Sequence, residues 1–174
     1  LELVSDVNNL ARGELHKVRR TPVEMRPFLD QVMGLFRMEA GGKDRTLKVH
    51  VTPEARVLAL DPARIRQALL ALLRNAVKAS GPNTDIDVEV SSVGPGKASI
   101  EVRDHGDGMD LTTITNAPLP FFSGFEPRGL GLGLEIVRVV AEAHGGRLEL
   151  SSVPNEGTAV RLHMSGTDPM ADNP

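Results

Sequence analysis

The sequence predicts an α/β (α+β) fold: a two-layer sandwich with helices on one face of a mixed, largely antiparallel sheet. Three observations carry this. Stretches with apolar residues three and four apart recur among stretches of strict two-residue alternation, so helices and strands share one chain. Several strand-to-strand links are of hairpin length, which argues against an all-parallel sheet. The alternating stretches are apolar on one side only, as in a sheet with one buried face.

The elements follow in order. Leu3, Val7 and Leu10, with Val4 and Ala11 beside them, keep helical spacing until Gly13. Residues 1–13 therefore read as a surface helix of the domain or as the tail of a longer upstream helix or linker, and residues 14–164 as the domain itself. Residues 15–23 read as extended, interrupted by Pro22. Pro27 suits a first helical turn, and Phe28, Leu29, Val32, Leu35 and Phe36 then share an apolar face that Gly41 and Gly42 close. Leu47, Val49 and Val51 alternate with polar residues as a half-buried strand, and residues 57–60 form another.

Asp61 before Pro62 is a cap followed by a first-turn proline, opening a helix that Gly81 and Pro82 end after Ser80. Ile65, Leu69, Leu72, Ala76 and Ala79 fall on its buried face. Gln67, Ala71, Asn75 and Lys78 line up on another side. Strands follow at 86–90 and 98–102. Residues 104–129 are loop-rich, with one turn of helix near Asp110. A helix over 132–144 is stopped by Gly145 and Gly146, and residues 148–153 and 158–164 form a closing hairpin. Residues 165–174, polar with two prolines, are expected to be a disordered tail.

Composition narrows the function. The 174 residues hold a core of useful size, and the net charge of −3 comes from mixed charges without a basic stripe, so no nucleic-acid partner is expected. No apolar run reaches the roughly 18 residues that a membrane span needs. With no cysteine there is no disulfide, thiol catalysis or cysteine-bound zinc, in keeping with a reducing compartment. The chain opens on Leu1 in what reads as mid-helix, and is expected to be a fragment of a longer protein.

Three signals stand in a fixed order. Asn75 and Lys78 lie one turn apart on a helix side turned from the core; an amide oxygen there suits Mg²⁺, a hard cation that keeps phosphates and waters as further ligands. Asp104 ends a strand in DHGDGMD, where Gly106 and Gly108 allow a tight turn, and its carboxylate suits the exocyclic amine of adenine. In RGLGLGLEIV the glycines Gly129, Gly131 and Gly133 lead into a helix and offer free backbone amides to phosphates. This run is neither a Walker A loop, which ends in Gly-Lys-Ser/Thr, nor a Rossmann fingerprint, which follows a strand directly. Each alone is an ordinary turn, loop or solvated helix face.

In this order and spacing the three resemble the ATP-binding catalytic domain of two-component sensor histidine kinases, of the ATPase superfamily that includes gyrase, Hsp90 and MutL. The resemblance is strong over residues 61–163 and looser over 14–60, and it makes residues 1–13 the end of an upstream dimerisation helix or linker. It implies a Bergerat-type fold with ATP and Mg²⁺ as cofactors. DPARIRQALLALLRNAVKAS looks like the N box, which makes Asn75 the magnesium ligand and Lys78 a phosphate contact. Asp104 becomes the residue that reads adenine, with Gly106, Gly108, Met109 and Ile100 around it. Thr158 after Gly157 matches the late element that helps hold Asp104 and a water near the base. Residues 129–133 look like the G2 box, placing Gly129, Leu130, Gly131, Leu132 and Gly133 at the phosphates. Phe121 and Phe122 match the F box that anchors the ATP lid, and Arg128 is a lid cation for a phosphate.

Three departures accompany the resemblance. Ala71 stands where hydrolytic relatives place a water-activating glutamate, which disfavours simple hydrolysis. No acidic residue precedes Pro120, and Ser123, Gly124 and Phe125 replace the usual Thr-Thr-Lys. None of the five histidines has the acidic neighbour and following proline of a phosphoacceptor, so that histidine is expected upstream. The implied function is a cytoplasmic protein-histidine kinase domain, with or without a membrane anchor in the parent. It passes the γ-phosphate of ATP to a histidine on a homodimeric dimerisation domain, and thence to a response regulator. Two other readings stay open: a nucleotide-sensing pseudokinase module, and an anti-sigma-factor serine kinase of the same fold.

Overall fold

The computed structural model describes residues 17–38, 46–82, 84–110 and 133–169. Its largest sheet has five strands in the order β2 (Leu47–Val51), β4 (Ile86–Gly94), β5 (Lys97–Asp104), β7 (Gly157–Ser165) and β6 (Leu148–Val153). Strands β2 and β4 are parallel and every other neighbour is antiparallel, so the sheet is mixed and largely antiparallel as expected. A separate two-stranded ribbon pairs β1 (Thr21–Glu24) with β3 (Val57–Leu60). Among the described residues there are three α-helices: α1 (Met25–Met38), α2 (Pro62–Ala79) and α3 (Gly133–Ala143). None of them is long and apolar enough to cross a membrane.

Two-residue alternation decides which sheet face is covered. Ile86, Val88 and Val90 face inward and meet Ile100 and Val102 of β5, which in turn meet Leu162 and Val160 of β7. Helix α2 packs on β5 and α3 on β7 and β6, while α1 packs on β2 and α2. The opposite face carries charge: Arg161 bonds both Glu101 and Glu149, and Arg103 reaches Glu101 at 2.9 Å. The exposed side of the sheet is thus a lattice of surface ion pairs, each worth little for stability.

Helix α2 starts where the capping pattern predicts. Asp61 Oδ1 accepts from the backbone N–H groups of Ala63 (3.0 Å) and Arg64 (3.2 Å), and Pro62 occupies the first turn. Four expectations are corrected. Leu35 is 46% exposed, and Met25 and Met33 are buried in its stead, because the buried stripe of α1 runs Met25–Leu29–Val32–Met33–Phe36. Ala71 is buried rather than turned from the core, because α2 is covered by both the sheet and α3. Ala79, at the end of α2, is only half-buried. The chain also stays ordered past residue 164: β7 runs through Ser165, and Thr167 is buried, its backbone bonded to Ala59 (2.9 Å) and Gly96 (3.1 Å).

Candidate nucleotide site

Asp104 is the last residue of β5 and faces inward, in register with Thr158 of β7, which is in register with Ser152 of β6. The rows below it on this face are apolar, so Asp104, Thr158 and Ser152 form the polar rim of an apolar wall. Asp104 is buried, 5% exposed. Its Oδ1 accepts from Gly106 N (2.9 Å) and Thr158 N (3.3 Å), the first closing a local turn over the aspartate. Burial holds its carboxyl above the usual range, against the lowering effect of those two N–H groups. Among the described residues Oδ2 has no partner. A half-satisfied buried carboxylate of this kind favours a hydrogen-bond donor as its ligand.

The loop after Asp104 is clamped on three sides. Asp107 N donates to Ala79 O at the end of α2 (3.2 Å), Asn155 N donates to Asp107 O (2.7 Å), and Met109 N donates to Ser152 Oγ (2.8 Å). Two glycines make the close approach possible. Gly108 has φ +64°, and a Cβ there would overlap the Val153 carbonyl. Gly157 has φ +108°, and a Cβ there would overlap the carbonyl of Asp104 itself. Gly106 lies equally close to the backbone of Ala79.

Asn75 is half-buried on α2, and Lys78 is exposed on the last turn. Gly133 opens α3 directly against Asn75: a Cβ there would lie 3.1 Å from Asn75 Nδ2 and 3.2 Å from Oδ1. The positive end of α3 therefore faces the Asn75 amide, an environment suited to phosphate oxygens. The Asn75 side-chain oxygen also fits a hard cation that takes its other ligands from phosphates and water. No cluster of three or more His, Asp or Glu suited to a metal exists among the described residues.

The predicted residues thus gather into two groups. Asp104, Gly106, Gly108, Met109 and Thr158 form one, and Asn75 with Gly133 the other, bridged by the last turn of α2 through Ala79. Lys78 flanks the bridge. Phe121, Phe122, Arg128, Gly129, Leu130, Gly131 and Leu132 lie outside the described residues. Ser152 was not expected from the sequence, though a signal exists: it is a polar residue on the inward phase of Leu148 and Leu150, two residues past the apolar pattern.

A sequence profile described as "Histidine kinase-, DNA gyrase B-, and HSP90-like ATPase" matches residues 60–167, the stretch that holds both groups. The chain belongs to this family. Membership implies ATP binding, and the fold class agrees. The sensor histidine kinase ZraS of Klebsiella oxytoca is 30% identical over 162 residues, covering 93% of this chain and 34% of that protein. The probable sensor histidine kinase TcrY of Mycobacterium tuberculosis is 33% identical over 180 residues, covering 99% of this chain and 37% of that protein. The chain thus spans about a third of the length of the curated relatives it matches. Among solved structures, the mycobacterial sensor histidine kinase MprB superposes with a TM-score of 0.73 at 28% identity, covering 87% of this chain and 100% of that one. Full-length ShkA in complex with AMPPNP superposes with a TM-score of 0.81 at 26% identity, covering 97% of this chain and 37% of that one.

Proposed function

We propose that the chain is the catalytic domain of a sensor histidine kinase, transferring the γ-phosphoryl group of Mg-ATP to a histidine on an upstream, homodimeric dimerisation domain. A response regulator then takes the group, on the cytoplasmic side of the cell whether or not the parent is anchored in a membrane. The observation that supports this most is the pairing of a base-reading end, built on Asp104, with a phosphate end, built on Asn75 and the start of α3. Nothing in the relatives favours the serine-kinase or pseudokinase readings.

In this reading Asp104 Oδ2 accepts from the adenine amine, while Ile100, fully buried four residues earlier on β5, belongs to the core below the site. Asn75 and Lys78 face the phosphates, joined by the backbone amides of residues 129–133, by Arg128, and by a lid anchored at Phe122. Mg²⁺, when bound, neutralises phosphate charge, and Asn75 would hold it. Ala71 supplies no base to deprotonate water, so the γ-phosphoryl group waits for an imidazole nitrogen, and ADP leaves as the new P–N bond forms.

Binding, hydrolysis and transfer measurements test this. Mg-ATP at about 100 times Kd should stabilise the isolated chain by about 2.7 kcal/mol, while hydrolysis stays very slow. With the dimerisation helices supplied, the expected product is a phosphohistidine, acid-labile and base-stable. Asn75→Ala should cripple this transfer and weaken ATP binding only modestly. Rapid ATP turnover by the isolated chain would point to a hydrolytic relative instead.

A further inference from the structure

We infer that Ser152 is a positioning residue for base recognition: its hydroxyl turns Thr158 into an acceptor and so helps select a purine that carries an amine. The inference rests on the reading of Asp104 as the adenine contact.

Three groups meet Ser152 Oγ. Met109 N lies at 2.8 Å, Gly157 O at 2.9 Å and Thr158 Oγ1 at 2.9 Å. A serine hydroxyl has one hydrogen to donate and two lone pairs to accept with. Met109 N–H can only donate, so it takes one lone pair. Gly157 O can only accept, so it takes the hydrogen. The remaining lone pair is then filled by the hydroxyl hydrogen of Thr158. This is the one assignment in which all three contacts are hydrogen bonds. If Ser152 donated to Thr158 instead, the Gly157 carbonyl would lose its partner here.

The assignment fixes the polarity of the rim. With its hydrogen held by Ser152, Thr158 Oγ1 offers only lone pairs to whatever sits beside it. Asp104 Oδ1 is occupied by two backbone N–H groups, and its Oδ2 also offers only lone pairs while ionised. The row from Asp104 to Thr158 is therefore an acceptor surface. It matches an exocyclic amine, or a water that such an amine orients, and it repels a ring carbonyl at the same place. Ser152 also holds the Met109 backbone against β6, so one side chain sets both the loop position and the hydroxyl direction. None of this needs Ser152 to touch the nucleotide.

The experiment compares ATP with inosine triphosphate, which carries a carbonyl in place of the amine. Dissociation constants for both are measured on the 174-residue chain and on Ser152→Ala, Ser152→Cys and Ser152→Thr. The wild-type chain should prefer ATP. Ser152→Ala frees the Thr158 hydrogen to turn toward the pocket, and should cut the ATP-over-inosine preference roughly tenfold. Ser152→Cys keeps the shape with a poor hydrogen-bonding group and should do the same, which covers the case in which the alanine variant does not fold. Ser152→Thr, which keeps the hydroxyl, should restore the preference. An unchanged ratio in the alanine and cysteine variants, whether or not their melting temperatures fall, would overturn the role of Ser152. A wild-type chain that binds neither nucleotide would overturn the adenine reading with it, so the two failures are told apart.

Discussion

Helices α2 and α3 lie side by side and antiparallel, and their two ends are built on opposite principles. At one end Asn75 meets Gly133, and Asp104 leaves Oδ2 without a protein partner among the described residues. At the other end Asp61 meets His144, and the protein completes every bond itself. Asp61 Oδ1 accepts from Ala63 and Arg64, and its Oδ2 accepts from Arg19 N at 2.9 Å. Asp61 N donates to His144 Nε2 (3.2 Å), which fixes the tautomer, so Nδ1–H donates to Val140 O (2.8 Å). Ser165 N donates to His144 O (3.0 Å), and Arg20 donates to the Ser165 and Gly166 carbonyls at 2.6 and 2.5 Å. Both ends hold a buried aspartate. The satisfied one is a fastener, and the half-satisfied one is a site.

The sharpest way to break this comparison is to remove the fastener. His144 is fully buried, so His144→Ala leaves a cavity and strips partners from Asp61 N–H and the Val140 carbonyl. The expected cost is about 3–4 kcal/mol, a drop in melting temperature of roughly 10 °C in a domain of this size. ATP affinity, measured where the variant is folded, should stay within about twofold. A larger loss of affinity would show that the two ends communicate along α2 and α3.

The complementary change strikes the site and spares the fold. Asp104→Asn retains an oxygen for the Gly106 and Thr158 N–H groups but replaces Oδ2 with a donor. ATP affinity should fall about ten- to a hundredfold, roughly 1.5–3 kcal/mol. Because burial already penalises the ionised carboxylate, the unliganded protein should be at least as stable as wild type by urea titration. A clear loss of stability would mean that Asp104 is structural, as Asp61 is.

These two ends were not equally legible in the sequence. Asp104, Asn75 and the glycine runs could be found because their chemistry is local: a carboxylate at a strand end, an amide on one helix side, close approaches only glycine allows. The same locality marked Asp61, through the proline after it. Its link to His144 spans 83 positions and depends on how α3 packs against α2, which no periodicity encodes. His144 therefore looked like an ordinary helix-end histidine. Ser152 was hidden for a related reason, since its role emerges only when β6, β7 and the Met109 loop are brought into register. Leu35 and Ala71 failed differently. Their apolarity was clear, but which side of a helix is covered depends on its neighbours.

The smallest expected effect concerns pH, and there the two ends should respond with opposite sign. Burial, with the nearby Arg20 charge, holds the folded pKa of His144 below its ordinary 6.5, against the raising effects of the Val140 bond and Asp61. Below about pH 6.5 the unfolded chain therefore takes up more protons at this position than the folded one does. The stability linked to His144 is complete above that pH and is lost as the pH falls toward the depressed folded value. The mechanism is specific, since an imidazolium would turn a second N–H against that of Asp61. Asp104 behaves in reverse. Its folded pKa is raised above 3.8, so the folded protein takes up the proton first, and this position gains stability as the pH falls through that raised value toward 3.8. Urea midpoints taken from pH 7.5 downward should show an acid slope just below pH 6.5 that His144→Leu flattens and Asp104→Asn does not. Asp104→Asn should instead remove a gain that appears only at lower pH. An acid slope that persists in His144→Leu would place the titrating group elsewhere, and would remove His144 as the acid-sensitive member of the fastened end.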